Sequence, residues 1–98
     1  MADNEREIYD EDREEVLRLI LAEAGGADVR RELENYPVSV RNQFRKVVQE
    51  AGMVEAPGLR KGDGGELFFD APAKLTPRGR KRLDELNARR GSSNGHAL

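Results

Sequence analysis

The chain has 98 residues, 37% of them hydrophobic and 37% charged, with a formal net charge of −2 at pH 7, enough for one core of three or four packed elements and too little for two. The absence of cysteine excludes disulfides, thiolate nucleophiles and cysteine-ligated zinc, and the single histidine, His96 in GSSNGHAL, leaves no imidazole cluster for general-base or metal chemistry. No apolar run approaches the roughly 20 residues of a membrane span, and the acidic N-terminus does not resemble a signal peptide, so a cytoplasmic protein without membrane contact is expected.

Residues Met1–Tyr9 read as a flexible acidic arm. Asp10 or Asp12 can cap a helix to Ala24, with Val16, Leu17, Ile20, Leu21 and Ala24 as its buried stripe and Gly25 and Gly26 as its stop. Val29, Leu33 and Tyr36 recur at helical spacing and predict a short helix over Ala27–Asn35, although Val29, Arg31 and Leu33 also alternate as in a strand. Pro37 separates this piece from the next helix.

Ser39 to Gly52, SVRNQFRKVVQEAG, predicts a helix capped by Ser39 and closed by Gly52. Val40, Phe44, Val47, Val48 and Ala51 form its apolar stripe. Arg41, Asn42, Arg45, Lys46 and Gln49 are expected on the other side, a cationic face without a carboxylate at its centre. An ordinary surface helix carries charge away from the core too, but it usually mixes both signs, and these are side-chain types that reach phosphates and base edges.

After Gly52 the period shifts towards two. Met53–Ala56 predicts one short strand and Glu66–Ala71 a second, in which Leu67 and Phe69 point one way and Glu66, Phe68 and Asp70 the other. Residues 57–65, PGLRKGDGG, read as the loop between them, with Arg60 and Lys61 near its tip. Thr76 and Pro77 then open a last helix in which Gly79, Leu83 and Leu86 continue the face of Leu75. Residues 91–98 are expected to be a disordered tail, which makes residues 10–90 the folded domain.

Helix, short helix, helix, strand, loop, strand, helix is the order of an α+β winged helix-turn-helix: three helices, a two-stranded β-wing and a C-terminal helix. The segments VVQEAGMVEAPG and KLTPRGRKRLDEL add a resemblance. Glu50, Ala51, Gly52, Met53 and Val54, then Leu75, Thr76, Gly79, Leu83 and Asp84, match the "EAG-hydrophobic-hydrophobic" turn and the "LT-x-x-G" helix start of small bacterial and phage winged-helix proteins. Over roughly residues 13–86 the chain resembles the uncharacterised YjcQ-like prophage group. The resemblance implies a fold and no chemistry, because the matching positions are a helix stop, a strand start, a cap and a core stripe.

Charge is unevenly distributed along the chain. Met1–Glu15 holds eight acidic and two basic residues, and Lys74–Arg90 seven basic and two acidic, so local patches matter more than the total. The leading expectation is a small transcriptional regulator that binds double-stranded DNA: Arg41, Asn42 and Arg45 near base edges, Lys46 and Gln49 on phosphate or sugar, Arg60 and Lys61 on the backbone from the wing. The alternative is a protein-interaction module without DNA affinity, for which Phe68 is an anchor candidate and the first and last helices are candidate homodimer contacts. The acidic arm could fold back on the basic helices. Catalytic residues, a cofactor and a metal are not expected, because Asp63 and Glu66, like the paired acids of the arm, lack the rigid second shell such chemistry needs, and KGDGG is a glycine-rich loop without a phosphate-loop signature.

Overall fold

The computed structural model describes residues 10–96; the acidic arm 1–9 and residues 97–98 lie outside the described residues. Helix α1 spans Asp10–Ala24, α2 Arg30–Leu33, α3 Val38–Glu50 and α4 Pro77–His96. Four short strands, β1 Val54–Glu55, β2 Leu59–Lys61, β3 Leu67–Phe69 and β4 Lys74–Leu75, lie between α3 and α4. The chain is therefore α+β.

Two of the helices end in the same way. At the end of α1 the Ala27 N–H bonds the Ala22 carbonyl and the Gly26 N–H bonds that of Glu23, with Gly26 at φ 102°; at the end of α3 Met53 bonds Val48 and Gly52 bonds Gln49, with Gly52 at φ 75°. Each pair is a six-to-one and five-to-two closure around a left-handed glycine, which satisfies carbonyls that the helix leaves without partners. Helix starts follow the sequence less closely. Helix α1 is already under way at Asp12, α2 is only four residues long, and no strand forms there. Helix α3 begins at Val38, one residue before Ser39, with Pro37 in the N-cap position and no side-chain cap; the Pro37 carbonyl accepts from Val40 and Arg41. Helix α4 continues past Arg90 into the stretch expected to be irregular.

The core is one cluster. Val16, Leu19, Ile20 and Leu21 of α1 pack with Leu33 of α2, Val40 and Val48 of α3, Val54 of β1 and Leu83 and Leu86 of α4. Two expectations for α3 are corrected. Val47 is 45% exposed and lies outside the core, whereas Arg45 is 1% exposed and lies within it.

The strands form one antiparallel hairpin with two ladders. At its base β1 pairs with β4, Val54 opposite Leu75; further out β2 pairs with β3, Leu59 opposite Phe69 and Lys61 opposite Leu67. The strand near Val54 thus pairs with Lys74–Leu75 and not with Glu66–Ala71. The expected loop 57–65 is itself partly strand, so Arg60 and Lys61 belong to β2 and the turn is confined to Gly62–Glu66 around a 3-10 turn at Asp63–Gly65. Every residue from Gly65 to Asp70 is half-buried, because this arm of the hairpin lies against α3.

Helix α4 is joined to the end of α3 through Thr76. The Thr76 hydroxyl accepts from the Gly79 N–H at 3.1 Å and donates to the Gly52 carbonyl at 2.6 Å, while the Arg78 guanidinium donates to the Ala51 carbonyl at 2.9 Å. One hydroxyl therefore caps the start of α4 and closes the end of α3. Thr76→Ala removes both bonds and is expected to lower stability by about 1–2 kcal/mol, read as a lower urea midpoint with an unchanged slope; no loss would show that water replaces the hydroxyl at both ends.

Candidate functional site

The basic residues of α3 are positioned by their spacing. Arg41 and Arg45 each precede a stripe residue, Phe44 and Val48, by three positions, so they share its flank instead of opposing it. That flank faces α1, which supplies Glu23, and the end of the hairpin turn just before β3, which supplies Glu66. The Arg45 Nε and Nη2 donate to the two oxygens of Glu23 at 3.0 and 2.9 Å, and its Nη1 donates to Glu66 at 2.7 Å. Arg41 donates through Nη1 to the other oxygen of Glu66 at 2.7 Å and through Nε to the Tyr36 carbonyl at 3.0 Å.

Glu66 thus bridges two guanidinium groups, and Glu23 grips one of them with both oxygens. Two cations and two anions cancel within the fold. Burial by itself lowers the Arg45 pKa, but its hydrogen bonds to Glu23 and Glu66 outweigh that and hold it above the ordinary arginine range. Arg45 is charged throughout the pH range of a folded protein, so the tetrad does not switch through this residue.

Asn42 is engaged in the same way. Its amide donates to the Gly65 carbonyl at 3.0 Å and its oxygen accepts from the Leu67 N–H at 2.7 Å, which ties the turn of the hairpin to α3. Gln49 is half-buried and reaches the Ala56 carbonyl at 3.5 Å. Four of the seven residues expected to face nucleic acid therefore hold the hairpin and helices together: Arg41, Asn42, Arg45 and Gln49. The expectation of an exposed cationic face at these positions is corrected, because carboxylates of α1 and the hairpin reach Arg41 and Arg45, and backbone groups of the hairpin reach Asn42 and Gln49, before solvent does.

The other three are exposed. Lys46 stands on the outer face of α3 and Lys61 on β2, and the Arg60 side chain, 62% exposed, is 3.8 Å from Asp70. Phe68, expected on the outward face of its strand, is half-buried and lies between the guanidinium of Arg45, 4.9 Å from the ring centroid, and that of Arg60, at 5.6 Å, a geometry in which the ring quadrupole attracts both cations. It packs on Gly62, where an added Cβ would come within 2.7 Å of the ring. Of the acidic and basic ends of the chain, Glu14 and Arg89 meet in an ion pair that joins α1 to α4.

Sequence reasoning missed Glu23 and Glu66. Glu23 had a signal: it follows the buried Leu19 by one helix turn and Val16 by two, so a carboxylate stands on the edge of the core stripe and calls for a cation. Glu66 had none, because an acid in an alternating strand reads as solvent-facing.

A second feature is a groove of about 410 Å³ between α1, α3 and α4, lined by Arg13, Glu14, Leu17, Gln43, Phe44, Val47 and Arg82. Its floor is apolar and its rim is charged. Among the described residues, no helix is long and apolar enough to cross a membrane, and no group of three or more His, Cys, Asp or Glu is placed to hold a metal ion. The chain matches no family model, no curated protein and no solved structure.

Proposed function

We propose that this chain is a winged-helix protein-interaction module and does not read DNA bases with α3. The order of three helices, a β-hairpin and a fourth helix supports the winged-helix arrangement. The positions behind the resemblance to the YjcQ-like group, Gly52, Thr76 and Gly79 among them, form the junction of α3 with α4 and bear on fold alone. What carries the functional reading is the pairing of Arg41 and Arg45 with Glu23 and Glu66. A base-reading helix needs free donors at its exposed face, and the two arginines best suited to guanine are already bound to carboxylates.

The exposed part of α3 comprises Ser39, Gln43, Lys46, Val47 and Glu50: one cation, one anion and an apolar residue. That mixture is unsuited to a polyanion and suits the surface of another protein. The test is fluorescence anisotropy with a labelled mixed-sequence duplex at low and physiological salt. No saturable binding tighter than about 1 μM is expected, whereas tighter binding that falls steeply with salt would restore the DNA reading.

A second reading rests on the exposure of Lys46, Arg60 and Lys61: contact with phosphates alone, without base recognition. In the same titration it predicts weak, sequence-independent binding that Arg60→Ala with Lys61→Ala abolishes.

A further inference from the structure

Val47 is the one large hydrophobic residue that stands exposed among the described residues, and it does not stand alone. With Leu17 of α1 and Phe44 of α3, both half-buried, it makes the apolar floor of the groove between α1, α3 and α4. A groove of this size takes one or two side chains.

Its rim determines what those side chains belong to. Arg13 on the α1 wall is exposed and has no ion-pair partner among the described residues, and Arg82 is on the α4 wall, one turn beyond the exposed Arg78. The carboxylates nearby are already engaged, Glu14 by Arg89 and Glu85 by Arg82 at 3.4 Å. Glu50, at the far end of the exposed face of α3, stands one turn from Lys46. Arg13 is therefore open to a carboxylate, and the solvent-exposed Arg82–Glu85 contact leaves Arg82 donors for a second.

All three walls are helices whose backbone groups bond within the helix, so the groove offers no strand edge for main-chain pairing. An occupant must satisfy its own backbone, and a helix does so. We infer that this groove binds a short acidic amphipathic helix of a partner protein, with an apolar face seated on Leu17, Phe44 and Val47 and carboxylates reaching Arg13 and Arg82. The inference rests on the interaction-module reading above and names its site and partner class.

A displayed library of random 16-residue peptides selected against the full chain tests it, with the enriched peptides resynthesised and titrated by fluorescence anisotropy. The expected result is an acidic consensus with apolar residues at helical spacing, weakened at least about tenfold by Val47→Glu and separately by Arg13→Glu. Both positions are exposed, so the variants should keep the unfolding midpoint of the parent. Enriched peptides that are neutral or basic, or that ignore both substitutions, overturn the groove assignment while leaving an interaction module; so does a selection without enrichment. Concentration-dependent dimerisation lost in Val47→Glu would make a second copy the occupant, and equal affinity for a peptide of residues 1–9 would make it the chain's own N-terminal segment. Either overturns the inference. Salt-sensitive duplex binding overturns the reading beneath it.

Discussion

Gly79→Ala is expected to destabilise this protein by about 3 kcal/mol or more, at the upper end of what overpacking does. A Cβ at Gly79 would lie 1.9 Å from the Met53 carbonyl oxygen and 2.9 Å from its carbon. Those are backbone atoms and they are held in place. The Met53 carbonyl accepts from Thr76 N–H at 3.1 Å, and the next residue, Val54, pairs with Leu75, so the helix cannot withdraw without opening the base of the hairpin. For a domain of this size each kcal/mol lowers the melting temperature by roughly 4–8 °C, which makes thermal unfolding by circular dichroism a sufficient readout. Gly52 provides the contrast. Nothing lies within 4 Å of a Cβ there, but φ is +75°, so Gly52→Asn should cost little because Asn tolerates the left-handed region, whereas Gly79→Asn should be at least as damaging as Gly79→Ala. Equal effects at the two glycines would contradict the steric account of Gly79.

Arg45→Ala is expected to cost about 3–5 kcal/mol, the usual penalty for breaking a buried pair from one side. Glu23, its side chain 28% exposed, would lose its cation, and Glu66, 14% exposed, one of its two, with Arg41 remaining, while both keep most of their burial. The native stability of such a domain is about 5–15 kcal/mol, so the variant should be near its unfolding midpoint at moderate temperature. Charge is not required for the position to be filled, however. Arg41→Met and Arg45→Met combined with Glu23→Gln and Glu66→Gln removes all four charges at similar volume and should recover most of the loss, because apolar replacement of buried ion pairs is often neutral. A cycle built from Arg45→Met and Glu66→Gln should show a coupling of about 0.5–3 kcal/mol. Additive effects would mean that the two groups do not depend on each other. Arg41 and Asn42 attach to the same hairpin, so Arg45→Ala should also loosen Glu66–Phe69, seen as faster amide exchange there.

The core was largely legible in the chain. Val16, Ile20, Leu21 and Ala24, then Val40 and Val48, then Leu83 and Leu86 occupy the interior as their spacing predicts, because helical periodicity is a local signal that burial reads directly. Gly26, Gly52 and Thr76 mark helix ends for equally local reasons: a backbone that must turn left-handed, and a hydroxyl within reach of an N–H three residues on. The exposed Val47 was not legible, because its neighbours in sequence could not show that α1 and α4 part at that point and leave a groove.

What the sequence by itself determined is where helices run and stop and which stripe each one buries, since each of those choices is made among residues within two helix turns. Only the tertiary structure decided what the cations of α3 meet. Arg41, Asn42 and Arg45 find partners 21 to 25 residues away, apart from the Tyr36 carbonyl at five. A guanidinium carries the same charge whether water, a phosphate or a carboxylate neutralises it, and the choice depends on which group chain folding brings within about 3 Å. In this protein that group is the pair Glu23 and Glu66, and Arg41, Asn42 and Arg45 hold the hairpin to α3.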